Sequence, residues 1–494
     1  MTTSTWGGRH VHDPTVVRDD DGTYWMFSTD ARSDGPVRAG VQVRTSRDLV
    51  RWDLHGWALD GVPGPAADWS RAGGLWAPEV VRSGEPGPAE WRMYYSASTF
   101  GSRRSAIGLA TAPHPSGPWT DRGMVVASDH VATRAGFRHP NAIDANLVVE
   151  RPGIGQPGIG QPGIGQPGIK QSGGRQWLVY GSFFGGIYAL PVDPATGFVV
   201  DAPAPGALRS APGTLLARRP RLADGAVEGA FVLPRPDGGW ALLVSYDSLA
   251  GTYHLRAAVG DDVTGPFRDR GGRAMTAGAA GTAVTRAAER AGAGAGEGAA
   301  SGVDPWQVGV PLLASHRLAG GPGLLAPGHA SVLTEPGRQL LVHHVRDADA
   351  PTEHRVQLRR LVWTHDGWPL VSPQPWAGPD RENDDTATWP ASPAVFGGTW
   401  EVLDVGAATA KVVDGRTGAL DEVLDGALTG VGRARPLGAG RFTWGHPGGA
   451  PTSAPRWTAV VFPGWDAVRG RATLCLTATD DAGRVVTGTR VDDR

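Results

Sequence analysis

Hydrophobic residues in this chain come in short runs, alternating or continuous, that are cut by Gly and Pro, and helical periodicity is scarce. One stretch sets the pattern. His10-Val11-His12-Asp13-Pro14-Thr15-Val16-Val17 puts a carboxylate at the head of an apolar strand, Asp19-Asp20-Asp21-Gly22 makes a turn, and Thr23-Tyr24-Trp25-Met26-Phe27-Ser28 is an aromatic strand ending in serine. That arrangement predicts a β-hairpin. Four later stretches repeat it, beginning at Trp76-Ala77-Pro78-Glu79, Ile143-Asp144-Ala145-Asn146, Glu228-Gly229-Ala230-Phe231 and Gly328-His329-Ala330-Ser331. Each is followed by a turn and a second apolar strand.

The head positions read as Asp13, Ala77, Asp144, Glu228 and His329, separated by 64, 67, 84 and 101 residues. The two long gaps contain low-complexity inserts, so the underlying period is that of a four-stranded propeller blade with generous loops. The pattern predicts an all-β chain: a five-bladed β-propeller over residues 1–375, a linker over 376–396, and a small C-terminal β-sandwich or barrel over 397–494. One insert, 152–171, is a tandem Pro-Gly-Ile-Gly-Gln repeat. The other, 274–303, is rich in Ala and Gly. The first cannot bury enough apolar surface to order itself, and the second reads as a short helix or, in preference, as disorder.

In a propeller the first strand of each blade lines the central channel, so the five heads converge on one mouth. Three carboxylates and a histidine would meet there. Crowding acids raises their pKa values and costs folding free energy, a cost found where chemistry needs it. A lone Asp before Pro is ordinarily a turn former; Asp13, Asp144 and Glu228 at matching heads point to a site instead. Glu79 lies two residues past its head and is expected to be a strand or pocket-wall carboxylate. Trp444 and His446, near the C-terminus, read as packing residues.

Composition narrows the function. A formal net charge of -2 gives no reason to expect a nucleic-acid partner. Lys170 and Lys411 are the only lysines, and the arginine bias reads as coding composition, not phosphate recognition. Cys475 is the only cysteine, which rules out an intrachain disulfide. The first residues show neither a basic region nor an apolar core of a leader, and no run of about 18 apolar residues could span a membrane. A cytoplasmic monomer without membrane contact is expected.

At this point the residues resemble a known family. Val11-His12-Asp13-Pro14, Leu75-Trp76-Ala77-Pro78-Glu79, Asn141-Ala142-Ile143-Asp144, Gly181-Ser182-Phe183-Phe184-Gly185-Gly186 and Pro327-Gly328-His329 are similar to the motif series of glycoside hydrolase family 43. Within that family they look most like the two-domain endo-α-1,5-L-arabinanases. The resemblance implies Asp13 as general base, Glu228 as general acid, and Asp144 as the group that tunes and orients the acid. It implies that Trp76 and Phe100 stack on sugar, that Asn141 and Ser182 line the same pocket, and that His329 sits beside a hydrated metal ion, calcium, on the propeller axis. One departure is visible. The acid of the family lies in Glu-Ala-Pro, whereas here it is Glu228-Gly229-Ala230, and glycine is expected to loosen the backbone beneath it.

The implied chemistry is inverting hydrolysis of α-1,5-linked arabinan or arabino-oligosaccharides. It needs one protonated and one ionised carboxyl about 6.5–9.5 Å apart with room for water, and blades one and four of a five-membered ring can provide such a gap. Asp144 is expected to stay ionised and raise the pKa of Glu228. Two alternatives stand beside this reading: an exo-acting α-L-arabinofuranosidase or β-xylosidase on the same fold, and a non-catalytic sugar-binding propeller, which would have no use for an acid/base pair.

Overall fold

The alternation that predicts hairpins does so because a strand with one apolar face must bury it against a neighbour, and here the neighbours are successive sheets arranged around a ring, four of them four-stranded and antiparallel and the fifth extended to six strands. The computed structural model describes residues 6–84, 90–128, 140–150, 174–181, 183–200, 212–220, 223, 225–279, 306–407, 412–423, 434–445 and 455–492. The inner strands of the five sheets are Thr15–Arg18, Leu75–Arg82, Asn146–Glu150, Val227–Pro234 and Leu324–Glu335. Each inner strand touches those of the next and previous sheets, and the fifth closes on the first. The molecule is a five-bladed β-propeller.

Apolar side chains fill the wedges between blades. Trp25, Phe27, Val43, Val80, Met93 and Tyr95 pack blade one on blade two, and Val16, Met26, Leu340, Val342 and Leu358 pack blade five on blade one. Polar ties reinforce the closure: Ser331 Oγ donates to the Pro14 carbonyl at 2.8 Å, and Tyr24 Oη to Glu335 Oε1 at 2.9 Å. Beyond the propeller, a seven-stranded sheet spans Trp400–Asp404 to Val485–Arg490. Val460, Phe462, Cys475 and Val485 of that sheet share one core with Leu313, Trp368 and Val371 of blades four and five. The stretch 376–396 is itself packed: Trp376, Trp389 and Phe396 are buried, and Arg360 reaches Asp384 Oδ1 at 2.5 Å and Glu382 Oε2 at 3.3 Å.

Two expectations about the inserts meet different outcomes. The repeat at 152–171 lies outside the described residues. The second insert does not begin as disorder. Residues 274–279 are placed, with Met275 only 1% exposed and its backbone bonded to Phe267 and Arg218, because Met275 fills the core of blade four. Residues 280–305 lie outside the described residues. Among the described residues no helix is long and apolar enough to cross a membrane.

The strand heads share an unusual backbone. Asp13, Ala77, Asp144, Gly229 and His329 have φ of +50°, +40°, +59°, +58° and +47°. Outside glycine such values cost about 1–2 kcal/mol each. The ladders of blades two, four and five slip here, between Trp76 and Glu79, Glu228 and Phe231, and Gly328 and Ser331. Bulges of this kind turn a side chain out of the pleat, and they gather near active sites. Each turned head leaves a buried N–H, and the preceding blade supplies its acceptor. Thr29 Oγ1 takes the N–H of Ala77 at 2.8 Å, Ser96 Oγ that of Asp144 at 3.0 Å, Ser245 Oγ that of His329 at 2.8 Å, and His344 Nδ1 that of Asp13 at 3.3 Å. These acceptors sit at matching ends of second strands. Blade three has Gly181 at that place, its N–H bonded to the Ile143 carbonyl. There Asp144 Oδ2 itself accepts the Gly229 N–H at 3.0 Å.

The register corrects one reading. The residue equivalent to Asp13 and Asp144 in blade four is Gly229, not Glu228. Thr15, Glu79, Asn146, Phe231 and Ser331 pair at corresponding points of their hairpins, and counting back two residues reaches Gly229. Glu228 stands one residue earlier, opposite Ser245. Nor does Gly229 loosen the backbone: a Cβ there would lie 3.0 Å from His329 Cγ and 3.1 Å from its Cα, so the glycine lets the blade-five head approach closely.

If the head caps hold the ring together, Ser96→Ala should strand a buried N–H. We expect a loss of about 1–3 kcal/mol, read as a lower urea midpoint at unchanged slope. An unchanged midpoint would show that the Asp144 N–H finds another partner at no cost.

Candidate active site

Asp13 is where the polar groups of the mouth converge. Its Oδ1 lies 2.8 Å from His12 Nδ1, 3.0 Å from His329 Nδ1 and 3.3 Å from His344 Nδ1. Its Oδ2 accepts the Thr29 hydroxyl at 2.6 Å. Burial pushes this carboxyl's pKa up, but the charges and hydrogen bonds of His12 and His329 outweigh it and hold the group well below the usual carboxylate range. Asp13 is an ionised, oriented carboxylate.

The other two carboxyls go the opposite way. Burial, and after it the negative charge of Asp144, push Glu228 up to about 8 despite His329 nearby. Burial likewise raises Asp144 to about 6, with His329 opposing and Asp13 adding to the rise. Asp144 therefore does raise its neighbour, as expected, but it is itself a weaker acid than a free aspartate. Groups this close release their protons as a set, so these values belong to the Asp144–Glu228 pair. Near neutral pH the pair retains a proton, and Glu228 is the better holder of it.

His329 faces all three. Burial lowers its pKa, but Asp13 and then Asp144 overcome that and lift it to about 10. It is a cation at neutral pH, with both ring nitrogens acting as donors. His344 is the reverse case: burial and the neighbouring charge of His12 hold it well below its ordinary value. Its ring is stacked on His12 at 3.8 Å and 17°. With Nδ1 accepting the Asp13 N–H, the hydrogen of neutral His344 sits on Nε2.

His12, Asp13 and His344 each offer a ligand atom within 4.8 Å of the others and could hold a metal ion. Two imidazole nitrogens with one carboxylate oxygen suit a borderline ion such as zinc or nickel. Calcium takes six to eight oxygen ligands, so this donor set does not match the calcium expected from the resemblance. His329, expected to stand beside that ion, has its Nδ1 3.0 Å from Asp13 Oδ1.

Three of the four remaining candidates are among the described residues. Trp76 is half-buried, immediately before the Ala77 head and opposite Ser96. Phe100 is 85% exposed on the loop after the second strand of blade two. Asn141 is buried, three residues ahead of Asp144, and accepts a long 3.5 Å bond from the Ser105 hydroxyl. Ser182 lies outside the described residues. Residues that the sequence reading did not single out are His12, Thr29, Ser96, Ser245 and His344. The signal for two of them was present: Ser96 and Ser245 each sit near the end of a second strand of the repeat. Glu79 is a wall carboxylate, as expected. It accepts from Asn146 Nδ2 at 2.9 Å and Thr15 Oγ1 at 3.3 Å, and burial pushes it up to about 7.

The chain is similar to known proteins. Residues 8–154 match the family described as Glycosyl hydrolases family 43. The chain is 30% identical to arabinan endo-1,5-alpha-L-arabinosidase C of Emericella nidulans, over 74% of this chain and 92% of that protein. It is 24% identical to extracellular endo-alpha-(1->5)-L-arabinanase 2 of Bacillus subtilis, over 97% of this chain and 92% of that one. In fold it is similar to the crystal structure of an endo-1,5-alpha-L-arabinanase from Thermotoga petrophila, with a TM-score of 0.68, 23% identity and full coverage of both chains.

Glu79 yields a test of these electrostatics. Its pKa is higher in the folded protein than the ordinary 4.5, so the folded state binds the proton more tightly than the unfolded chain. Its contribution to stability is complete below about 4.5 and declines as pH rises through about 7. Glu79→Gln should therefore match wild type near pH 5 and exceed it near pH 8 by on the order of 2 kcal/mol, read from urea midpoints. A variant that lost ground at the higher pH would refute the assignment.

Proposed function

The chain belongs to glycosyl hydrolase family 43, and on that premise we propose that it hydrolyses α-1,5-linked L-arabinan or arabino-oligosaccharides with inversion. The observation that carries the reading is a division of labour among carboxyls at one channel mouth. Asp13 is held ionised by imidazoles, and Glu228 is held protonated by burial and Asp144. An inverting glycosidase needs that pair. The substrate is carried over from the relatives, whose names specify 1,5-linked arabinan.

In this reading Asp13 accepts a proton from water as the water oxygen attacks the anomeric carbon. Thr29 and His329 fix the direction of its lone pairs. Glu228 gives its proton to the glycosidic oxygen as the bond from that oxygen to the anomeric carbon breaks. Asp144, anchored through Ser96 and Gly229, keeps Glu228 charged with its proton until substrate arrives. The exposure of Trp76 and Phe100 supports the reading that their rings stack on sugar.

Product analysis on linear arabinan and on aryl glycosides of arabinose and xylose tests this. Mixed arabino-oligosaccharides are expected. Release of arabinose alone would indicate exo action, xylose release a β-xylosidase, and binding without any product a lectin-like propeller. Asp13→Ala and Glu228→Ala should each lower kcat by about 10²–10⁴-fold with the thermal transition retained; more than a tenth of wild-type rate in either variant would remove it from its role. The pH profile of kcat/KM should extend to low pH, because Asp13 is held well below the usual carboxylate range. It should fall at the basic end near the value of about 8 at which the Asp144–Glu228 pair loses its last proton.

A further inference from the structure

Tyr253 stands among the carboxyls without a part in the steps above. It immediately precedes the third strand of blade four, His254–Gly260, and is 1% exposed. Its ring stacks on His344 at 5.7 Å and 12°. It also lies so near the head of blade five that a Cβ on Gly328 would fall 2.5 Å from its Cε1. Packing therefore fixes the ring from two sides.

The hydroxyl is the unexplained part. It is buried and makes no hydrogen bond of good distance and angle, although the Ser245 hydroxyl and the Glu228 carboxyl both lie close enough to act on it. An unsatisfied buried hydroxyl costs about 1–3 kcal/mol, which phenylalanine would avoid while filling the same space. A phenol keeps its hydrogen at neutral pH and is a donor; the carboxyls acting on it are those of Glu228, Asp13 and Asp144, and Ser245 Oγ, opposite Glu228 in the ladder, lies 3.0 Å from the same Gly328 Cβ position. Among these neighbours Glu228 acts on it most strongly, and a hydrogen bond from Tyr253 in turn favours the ionised form of Glu228.

We propose that Tyr253 is a positioning residue whose hydroxyl donates to the Glu228 carboxylate as that carboxylate forms. When Glu228 transfers its proton to the leaving oxygen, the electron pair of its O–H bond stays on the carboxyl group, which turns from a weak acceptor into a charged one. Hydrogen bonds to a charged acceptor are roughly twice as strong as those between neutral groups. A donor left unpaired at rest and engaged only as charge develops lowers the barrier without stabilising the ground state. The inference rests on Glu228 being the general acid.

Leaving-group dependence separates the two claims. Wild type, Tyr253→Phe and Glu228→Ala would be compared on an α-1,5-arabino-oligosaccharide, whose leaving group is an alcohol that needs the acid. The second substrate would be the dinitrophenyl glycoside of α-1,5-arabinobiose, whose leaving group departs without it. Glu228→Ala should lose activity on the first and keep it on the second; equal loss on both would overturn the acid assignment itself. Tyr253→Phe should lower kcat on the oligosaccharide about tenfold or more, a barrier change of about 1.4 kcal/mol, with KM unchanged. It should remain within about twofold of wild type on the dinitrophenyl substrate. Because the substitution removes an unpaired hydroxyl, its urea midpoint should equal or exceed that of wild type. If Glu228→Ala discriminates between the substrates and Tyr253→Phe does not, by losing on both alike or on neither, Tyr253 serves packing alone and the proposal fails.

Discussion

The buried N–H at each turned strand head is the constraint from which the mouth of this propeller is built. An inner strand that kinks to aim its first side chain at the axis exposes a donor to the interior, where leaving it unpaired is costly. The acceptor has to come from the blade before, because that is the only neighbour on the correct side. Thr29, Ser96, Ser245 and His344 are therefore as much part of the ring as the strands are. The pattern breaks once, at Gly181, and the break has a consequence. With no side chain at the end of blade three's second strand to meet the Gly229 N–H, the Asp144 carboxylate at the head of that blade takes it. The third carboxyl is thereby fixed beside the backbone that carries the acid.

A second balance follows from the first. Heads aimed at one axis bring Asp13, Asp144 and Glu228 together, and ionising all three in a buried site would be prohibitive. The structure settles this by sorting them. His12 and His329 concentrate on Asp13, whose charge is compensated, while Glu228 has burial and a nearby anion and keeps its proton. His329 is shared, since every carboxyl of the set lifts it. A cation at that head thus serves all three acids, and it is the approach permitted by Gly229 that places it there.

Much of this was legible in the sequence, and the illegible parts have physical reasons. Five hairpins could be read because each inner strand alternates against a core on both sides, and spacing then implied the blades. Asp13 and Asp144 could be read as heads because each lies two residues before the first paired position. Glu228 could not be placed correctly by spacing alone: a bulge adds a residue without changing the apolar pattern, so the glycine at φ +58° was taken for a flaw when it is the head. The caps were half visible, as serines closing second strands. His344 was not, because an imidazole replaces the hydroxyl there, and Tyr253 belongs to a third strand outside the repeated motif. The arginine bias also hid a structural use. Arg44, Arg92 and Arg359 are fully buried and bind loop carbonyls, as Arg92 does with Pro194 and Ala195 at 2.9 Å each. A guanidinium offers five donors in a plane and can satisfy several turn carbonyls at once.

Placement of the C-terminal sheet bears on where specificity arises. It packs through Val460, Phe462 and Cys475 against the outer parts of blades four and five, and Arg441 Nε donates to the Trp363 carbonyl at 3.0 Å along the same seam. The strand heads and their carboxyls belong to inner strands, so the sheet supplies no group to the acid/base set. Among the described residues it shares its core with two of the five blades. Those are the blades that carry Glu228, Tyr253, His329 and His344, whereas Asp13 and Asp144 stand on blades one and three. In the proposed reaction, bracing on that side would favour the acid, which has to meet a leaving oxygen whose position the substrate sets, over the base, which acts through a water.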